Sequence, residues 1–174
     1  VNVGALVAST LSLSNEDFND GNYQFQGDGN NAAVTNHGTI NADQGAVALL
    51  GGQVSNHGII QANQGTVALA AGDKITLDFA GDGLLNVTVD EGTIDALVEN
   101  HQLIRANGGQ VVMTANATNA LLQTVVNNTG IIEAQTLENQ SGTIVLKGGF
   151  NGGTVNVAGT LDASALDSGD GGFI

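Results

Sequence analysis

The chain has 174 residues, with 17 acidic side chains against 3 basic ones and a formal net charge of −14. That charge repels phosphate and excludes nucleic acid and anionic lipid as partners of the surface, and the absence of Cys removes disulfides, thiolate metal sites and cysteine nucleophiles together. Hydrophobic residues reach 41%, enough for a core, yet aromatics are 3% and Gly numbers 26, so the interior must be built from Val, Ile, Leu and Ala.

The chain opens mid-pattern with Val1-Asn-Val-Gly-Ala-Leu-Val-Ala-Ser-Thr10 and shows no signal peptide, so it reads as a piece of something longer. Within Asn15-Glu-Asp-Phe-Asn-Asp-Gly-Asn-Tyr-Gln-Phe25, Tyr23 and Phe25 alternate, as residues that plug a core or a covering hairpin do.

From Val34 onward the chain repeats itself. Val34-Thr-Asn-His-Gly-Thr-Ile-Asn-Ala42 returns as Val54-Ser-Asn-His-Gly-Ile-Ile-Gln-Ala62, and Gln44-Gly-Ala-Val-Ala-Leu49 returns as Gln64-Gly-Thr-Val-Ala-Leu69. A third copy starts at Val98, a fourth at Val126 and a worn fifth at Val155. The template is V-x-N-x-G-x-I-x-A, a short gap, then G-x-V-x-L. I-x-A and V-x-L alternate with period 2, which predicts strands of about 3–5 residues ending at Gly or Asn corners. One coil of about 20 residues cannot bury its apolar face alone, whereas stacked coils can. The prediction is all-β: a right-handed parallel β-helix, or β-solenoid, favoured over the left-handed kind because a strict six-residue period is missing. At 20 residues per coil the whole length, 1–174, makes one β-helix segment of about 8–9 coils, near 40 Å long at about 4.8 Å each.

Stacking turns each template slot into a ladder. Ile40, Ile60, Ile104 and Ile132 should stack inside. Asn36, Asn56, Asn100 and Asn128 should form a structural ladder of side-chain amides at a turn. Gly38, Gly58, Gly130 and Gly159 mark the corner, which Gln102 breaks in the third copy.

The copies are offset by 20, 44, 28 and 29 residues. The long offset contains 73–97, where Lys74-Ile-Thr-Leu-Asp-Phe79 and Leu85-Asn-Val-Thr-Val89 flank Ala80-Gly-Asp-Gly83. This predicts a β-hairpin leaving the solenoid wall, or one irregular coil. Residues 114–125 are a second departure, as a helical turn or a loop.

His37, His57 and His101, all the histidines of the chain, share one template slot. They are the candidates for a metal or proton-responsive stripe; the plainer reading is a solvated corner copied by duplication, with no metal and no other cofactor. Asp78, Asp82, Asp90, Glu91 and Asp95 crowd the insertion. Paired carboxylates can hydrolyse glycosides, but Lys74, Arg105 and Lys147 are the only Lys or Arg and a solvated face is the simpler account, so no catalytic residue is assigned. Asp28-Gly-Asn-Asn31 and Asp167-Ser-Gly-Asp170 lack calcium-loop spacing. Sugar stacking would fall to Tyr23, Phe25, Phe79 or Phe150. Asn86, Asn116, Asn127 and Asn139 stand in Asn-x-Ser/Thr sequons, which a Gly/Asn/Thr-rich chain produces by chance.

The Val1–Thr10 and Asn15–Phe25 stretches, with Gly65-Thr-Val-Ala-Leu-Ala-Ala-Gly-Asp73 and Gly171-Gly-Phe-Ile174, resemble filamentous-haemagglutinin-like exoproteins of two-partner secretion. The likeness is to the later part of their secretion, or haemagglutination-activity, domain running into adhesin coils; the Asn-Pro-Asn-Gly motif of that family is absent, as is all Pro. The resemblance implies a right-handed β-helix, periplasmic transit, an outer-membrane two-partner-secretion transporter as partner, and a secreted or cell-surface adhesin meeting a host-cell or matrix receptor or a polysaccharide. Two other functions suit the residues: a fibre subunit associating end to end through open coil edges, and a carbohydrate-active β-helix enzyme or polysaccharide-binding module.

Overall fold

The computed structural model describes residues 1–79, 84–119, 123–138, 140–149, 152–166 and 169–174. Strand β1 (Leu6–Ser9), a five-residue helix α1 (Asn15–Asn19) and β2 (Tyr23–Gln26) precede the first full coil. Each coil then contributes three short strands. The first has β3 (Ala33–Asn36), β4 (Thr39–Asn41) and β5 (Ala46–Gly51), and the second β6 (Gln53–Asn56), β7 (Ile59–Gln61) and β8 (Thr66–Ala71). After β9 (Lys74–Asp78) and β10 (Asn86–Glu91), the third coil has β11 (Leu97–Asn100), β12 (Leu103–Arg105) and β13 (Gln110–Ala115). The fourth has β14 (Thr124–Asn128), β15 (Ile131–Glu133) and β16 (Thr143–Lys147), and the last β17 (Thr154–Val157) and β18 (Thr160–Asp162).

Equivalent strands pair in parallel, giving three five-stranded sheets: β3-β6-β11-β14-β17, β4-β7-β12-β15-β18 and β1-β5-β8-β13-β16. The register is the template register: Val54 pairs with Val98, Ile60 with Ile104, and Val67 with Val111. Ile60, Ile104 and Ile132 are fully buried and Ile40 nearly so, in one interior cluster with Val47, Val67 and Val111. Small branched side chains fill this narrow interior because every slot repeats and like packs on like.

The expected 8–9 coils are five rungs among the described residues, so the first and last strands of a sheet lie about 19 Å apart. Dividing the length by 20 fails because much of the chain lies outside the three walls. Residues 10–32, 73–79 and 84–96 lie outside the walls and include the cover, and 116–119 belong to a longer connection between the third and fourth coils. Thr114 and Ala115 end β13, and 116–119 form a bridge and turn, so the described part of 114–125 is not helical; 120–122 lie outside the described residues.

The 73–97 segment forms an antiparallel pair, β9 with β10, and β2 joins β9 on its other side. Its turn, Ala80 to Gly83 with Asp82, lies outside the described residues. This small sheet does not stand off the wall. It lies on the outer face of β5 and β8, where Phe25, Ile75 and Leu77 bury Ala48, Leu50, Ala68 and Ala70 in a second apolar cluster. β8 is therefore buried along its whole length, a strand apolar on both faces because both faces are covered.

Candidate functional site

The corner between the first two sheets carries two side-chain ladders. Asn36 donates its side-chain amide to Asn56 Oδ1 at 2.8 Å, Asn56 to Asn100 Oδ1 at 2.9 Å, and Asn100 to Asn128 Oδ1 at 2.8 Å. Within its own coil Asn56 also accepts from the Gly58 N–H and donates to the Gly58 carbonyl. Asn56, Asn100 and Asn128 are fully buried, so these bonds satisfy amides that have no water to turn to. The glycine two residues on has its own reason. A Cβ on Gly58 would sit 2.1 Å from the Gly38 carbonyl oxygen, and one on Gly130 2.1 Å from that of Gln102, because each corner crosses the carbonyl of the coil before it.

Beside each asparagine, the histidines point outward and stack. His37 and His57 have ring centroids 5.1 Å apart at 14°, and His57 and His101 4.5 Å apart at 11°. His101 Nδ1 lies 3.0 Å from Thr129 Oγ1, continuing the column into the fourth coil, and Nε2 lies 3.4 Å from Glu99. Near-parallel rings aim their nitrogen lone pairs side by side rather than at a common point. A zinc ion needs nitrogens converging at about 2.1 Å, so the stack as folded is no chelate. Among the described residues no group of three His, Asp or Glu side chains can hold a metal.

A third ladder escaped the sequence reading. Asp43 Oδ1 accepts from the Asn63 N–H, Asn63 Oδ1 from the Asn107 N–H and Asn107 Oδ1 from the Gln135 N–H. The signal was there, in Ala42-Asp-Gln-Gly45, Ala62-Asn-Gln-Gly65 and Ala106-Asn-Gly-Gly109, inside what the template treats as a gap. Gln44 and Gln64 take positive φ there, and Gly108 fills the same slot. A groove of about 490 Å³ runs past Asn63, Asn107 and Gln135. Its charged pair, Arg105 with Glu133, is closed on itself.

Among the described residues, the acidic side chains of the insertion do not converge. Asp90 accepts from the Thr76 hydroxyl, Glu91 lies 3.8 Å from Lys74, and Asp95 exchanges two hydrogen bonds with Asn119. The Asn30 backbone N–H, with its side-chain amide, holds the Asp28 carboxyl below the ordinary carboxylate value. The Ser164 backbone N–H, then Gln135, do the same for Asp162. These are turn and ladder carboxylates. Asp167 lies outside the described residues, as do Phe150 and Asn139. Of the other sequons, Asn86 is exposed on β10, Asn116 is buried, and Asn127 is tied to Glu99 and Asn156.

Three parallel walls, ladders at the corners and an antiparallel flap on one wall define a right-handed parallel β-helix with an extra-helical sheet. Residues 1–163 match the TPS secretion domain family, so the chain belongs to the secretion domains of two-partner secretion exoproteins. Among solved structures it is similar to the HMW1 secretion domain from Haemophilus influenzae, at 30% identity and a TM-score of 0.73, over 92% of this chain and 41% of that one. The chain thus spans less than half the length of that relative. No curated protein matches it.

Proposed function

We propose that this chain is the export-directing part of a bacterial surface filament. An outer-membrane two-partner-secretion transporter recognises it in the periplasm, and it displays an adhesive, non-enzymatic rod at the cell surface for attachment to cells, matrix or other bacteria. The observation that carries the reading is the family match over residues 1–163 together with the fold shared with the HMW1 secretion domain. The self-satisfied ladders support a scaffold role, since their polar groups are spent on coil-to-coil bonds. The test is export. Fused to a Sec signal in a host cell, the chain should reach the medium only when a cognate outer-membrane two-partner-secretion transporter is co-expressed. Equal release with and without that transporter would refute the assignment.

A further inference from the structure

The cover sheet ends before the wall beneath it does. Its strand order is β10-β9-β2, and β10 has no strand on its other side among the described residues. β10 lies over β8 and β13, whereas the wall runs on to β16. In an antiparallel pair every second residue of an edge strand turns its N–H and C=O away from its neighbour. β10 therefore presents a row of these groups above the wall that continues past it.

The step between sheet edge and wall is a groove of about 440 Å³. Val87 and Val89 line it from β10; both pack against the apolar cluster under the cover, yet each is only half-buried. Thr114, Asn116 and Lys147 line it from the wall. Asn116 is nine-tenths buried, and its Oδ1 accepts no hydrogen bond among the described residues. Its backbone is already paired, the N–H donating to the Ala71 carbonyl and the carbonyl accepting from the Thr93 N–H. A buried acceptor without a donor is destabilising, and a peptide backbone in the groove brings donors.

The charge at the groove selects its occupant. Lys74 and Arg105 are engaged by Glu91 and Glu133. Lys147 is exposed and has no ion pair among the described residues. The acids of β10 are held elsewhere, Asp90 accepting from the Thr76 hydroxyl and Glu91 facing Lys74. A ligand carboxylate can thus meet Lys147 without displacing an existing partner. A second copy could offer its own β10 only together with the wall it rests on, and that wall would meet β16 here. A free strand brings no wall with it.

We infer that the β10 edge takes up an extended peptide of a partner protein as a fourth strand of the cover sheet, with alternate apolar side chains against Val87 and Val89 and an Asp or Glu against Lys147. The site does not depend on the export reading.

The probe is fluorescein-labelled, amidated Glu-Val-Thr-Val-Thr-Val-Glu, acidic at both ends to suit either strand direction, with Lys-Val-Thr-Val-Thr-Val-Lys as its counterpart. Anisotropy is read in about 0.15 M salt, which screens the general negative charge of the chain beyond about 8 Å. The acidic peptide should bind saturably, and the basic one about fivefold more weakly. Lys147→Glu, at an exposed position and checked for an unchanged melting temperature, should reverse that order. Two further acidic peptides carry backbone N-methyl groups, one on its valines and the other on its threonines. One of them should lose binding by about tenfold and the other keep it, because only one edge of the peptide faces β10. Equal binding of the acidic and basic peptides, an unchanged preference in Lys147→Glu, or equal binding of the two methylated peptides would overturn the proposal. So would sedimentation showing self-association that Lys147→Glu removes, since that would make a second copy the occupant.

Discussion

Asn56 donates its side-chain amide to Asn100, 44 positions further along the chain, at 2.9 Å, within 0.1 Å of the 2.8 Å bonds that join the rungs on either side. The 73–97 segment therefore leaves and returns without disturbing the stack. The coil above resumes in the slot that the coil below dictates.

That bond should be costly to lose. Asn100→Ala strands buried donors and acceptors on both neighbours and should cost about 2–3 kcal/mol. Asn36→Ala, at the first rung with one neighbour, should cost about 1 kcal/mol. Urea unfolding of the two variants measures the difference; equal losses would mean the ladder is not what holds the corner.

Ile60 and Ile59 test the register. Ile60 faces the interior with no exposure, and Ile59 faces out at 36%. Ile60→Asp places an unpaired charge in the core and should cost several kcal/mol, about 3 or more, whereas Ile59→Asp should cost less than about 1 kcal/mol. Similar melting temperatures for the two would show the strand turned over by one residue.

The histidine column should be indifferent to metals. Stacked at 11° and 14°, the rings do not converge, so neither EDTA nor added zinc should move the melting temperature. A drop with EDTA that zinc restores would contradict the geometry.

Asp162 gives a small acid-sensitive contribution. Its carboxylate accepts from the Ser164 N–H and from Gln135, which holds its folded pKa below the ordinary carboxylate value. The unfolded chain then takes up the proton first, so the contribution is present above about pH 4 and disappears as pH falls through the folded value. Asp162→Ala should lower stability at pH 7, by under about 1 kcal/mol at this partly solvated site, and should match the parent near pH 2. A gap that persists at pH 2 would assign the loss to packing instead.

The ladders of Ile, Asn and His were legible because a parallel stack writes each contact as a repeated residue. Ile40, Ile60 and Ile104 touch because they occupy the same slot. Contacts outside the repeat left no such trace. Tyr23 and Phe25 pair with Leu77 and Ile75 in an antiparallel sheet, a relation between distant, unlike segments that no internal comparison exposes. One clue to the cover lay in the strands beneath it. Ala48, Leu50, Ala68 and Ala70 occupy outward positions where an uncovered wall would be polar, whereas the period-2 template specifies only the inward ones. The number of coils falls short of length divided by 20 for the same reason, since residues of the cover add length without adding rungs.

The central claim is that one continuous stack runs through the 73–97 departure. Native-state amide exchange tests it most directly, at the N–H groups of Ile60, Ile104 and Ile132. The account predicts one opening free energy for all three, equal to that of global unfolding. A lower value for Ile104 and Ile132 than for Ile60 would contradict it, showing that the coils beyond the departure open as a separate unit.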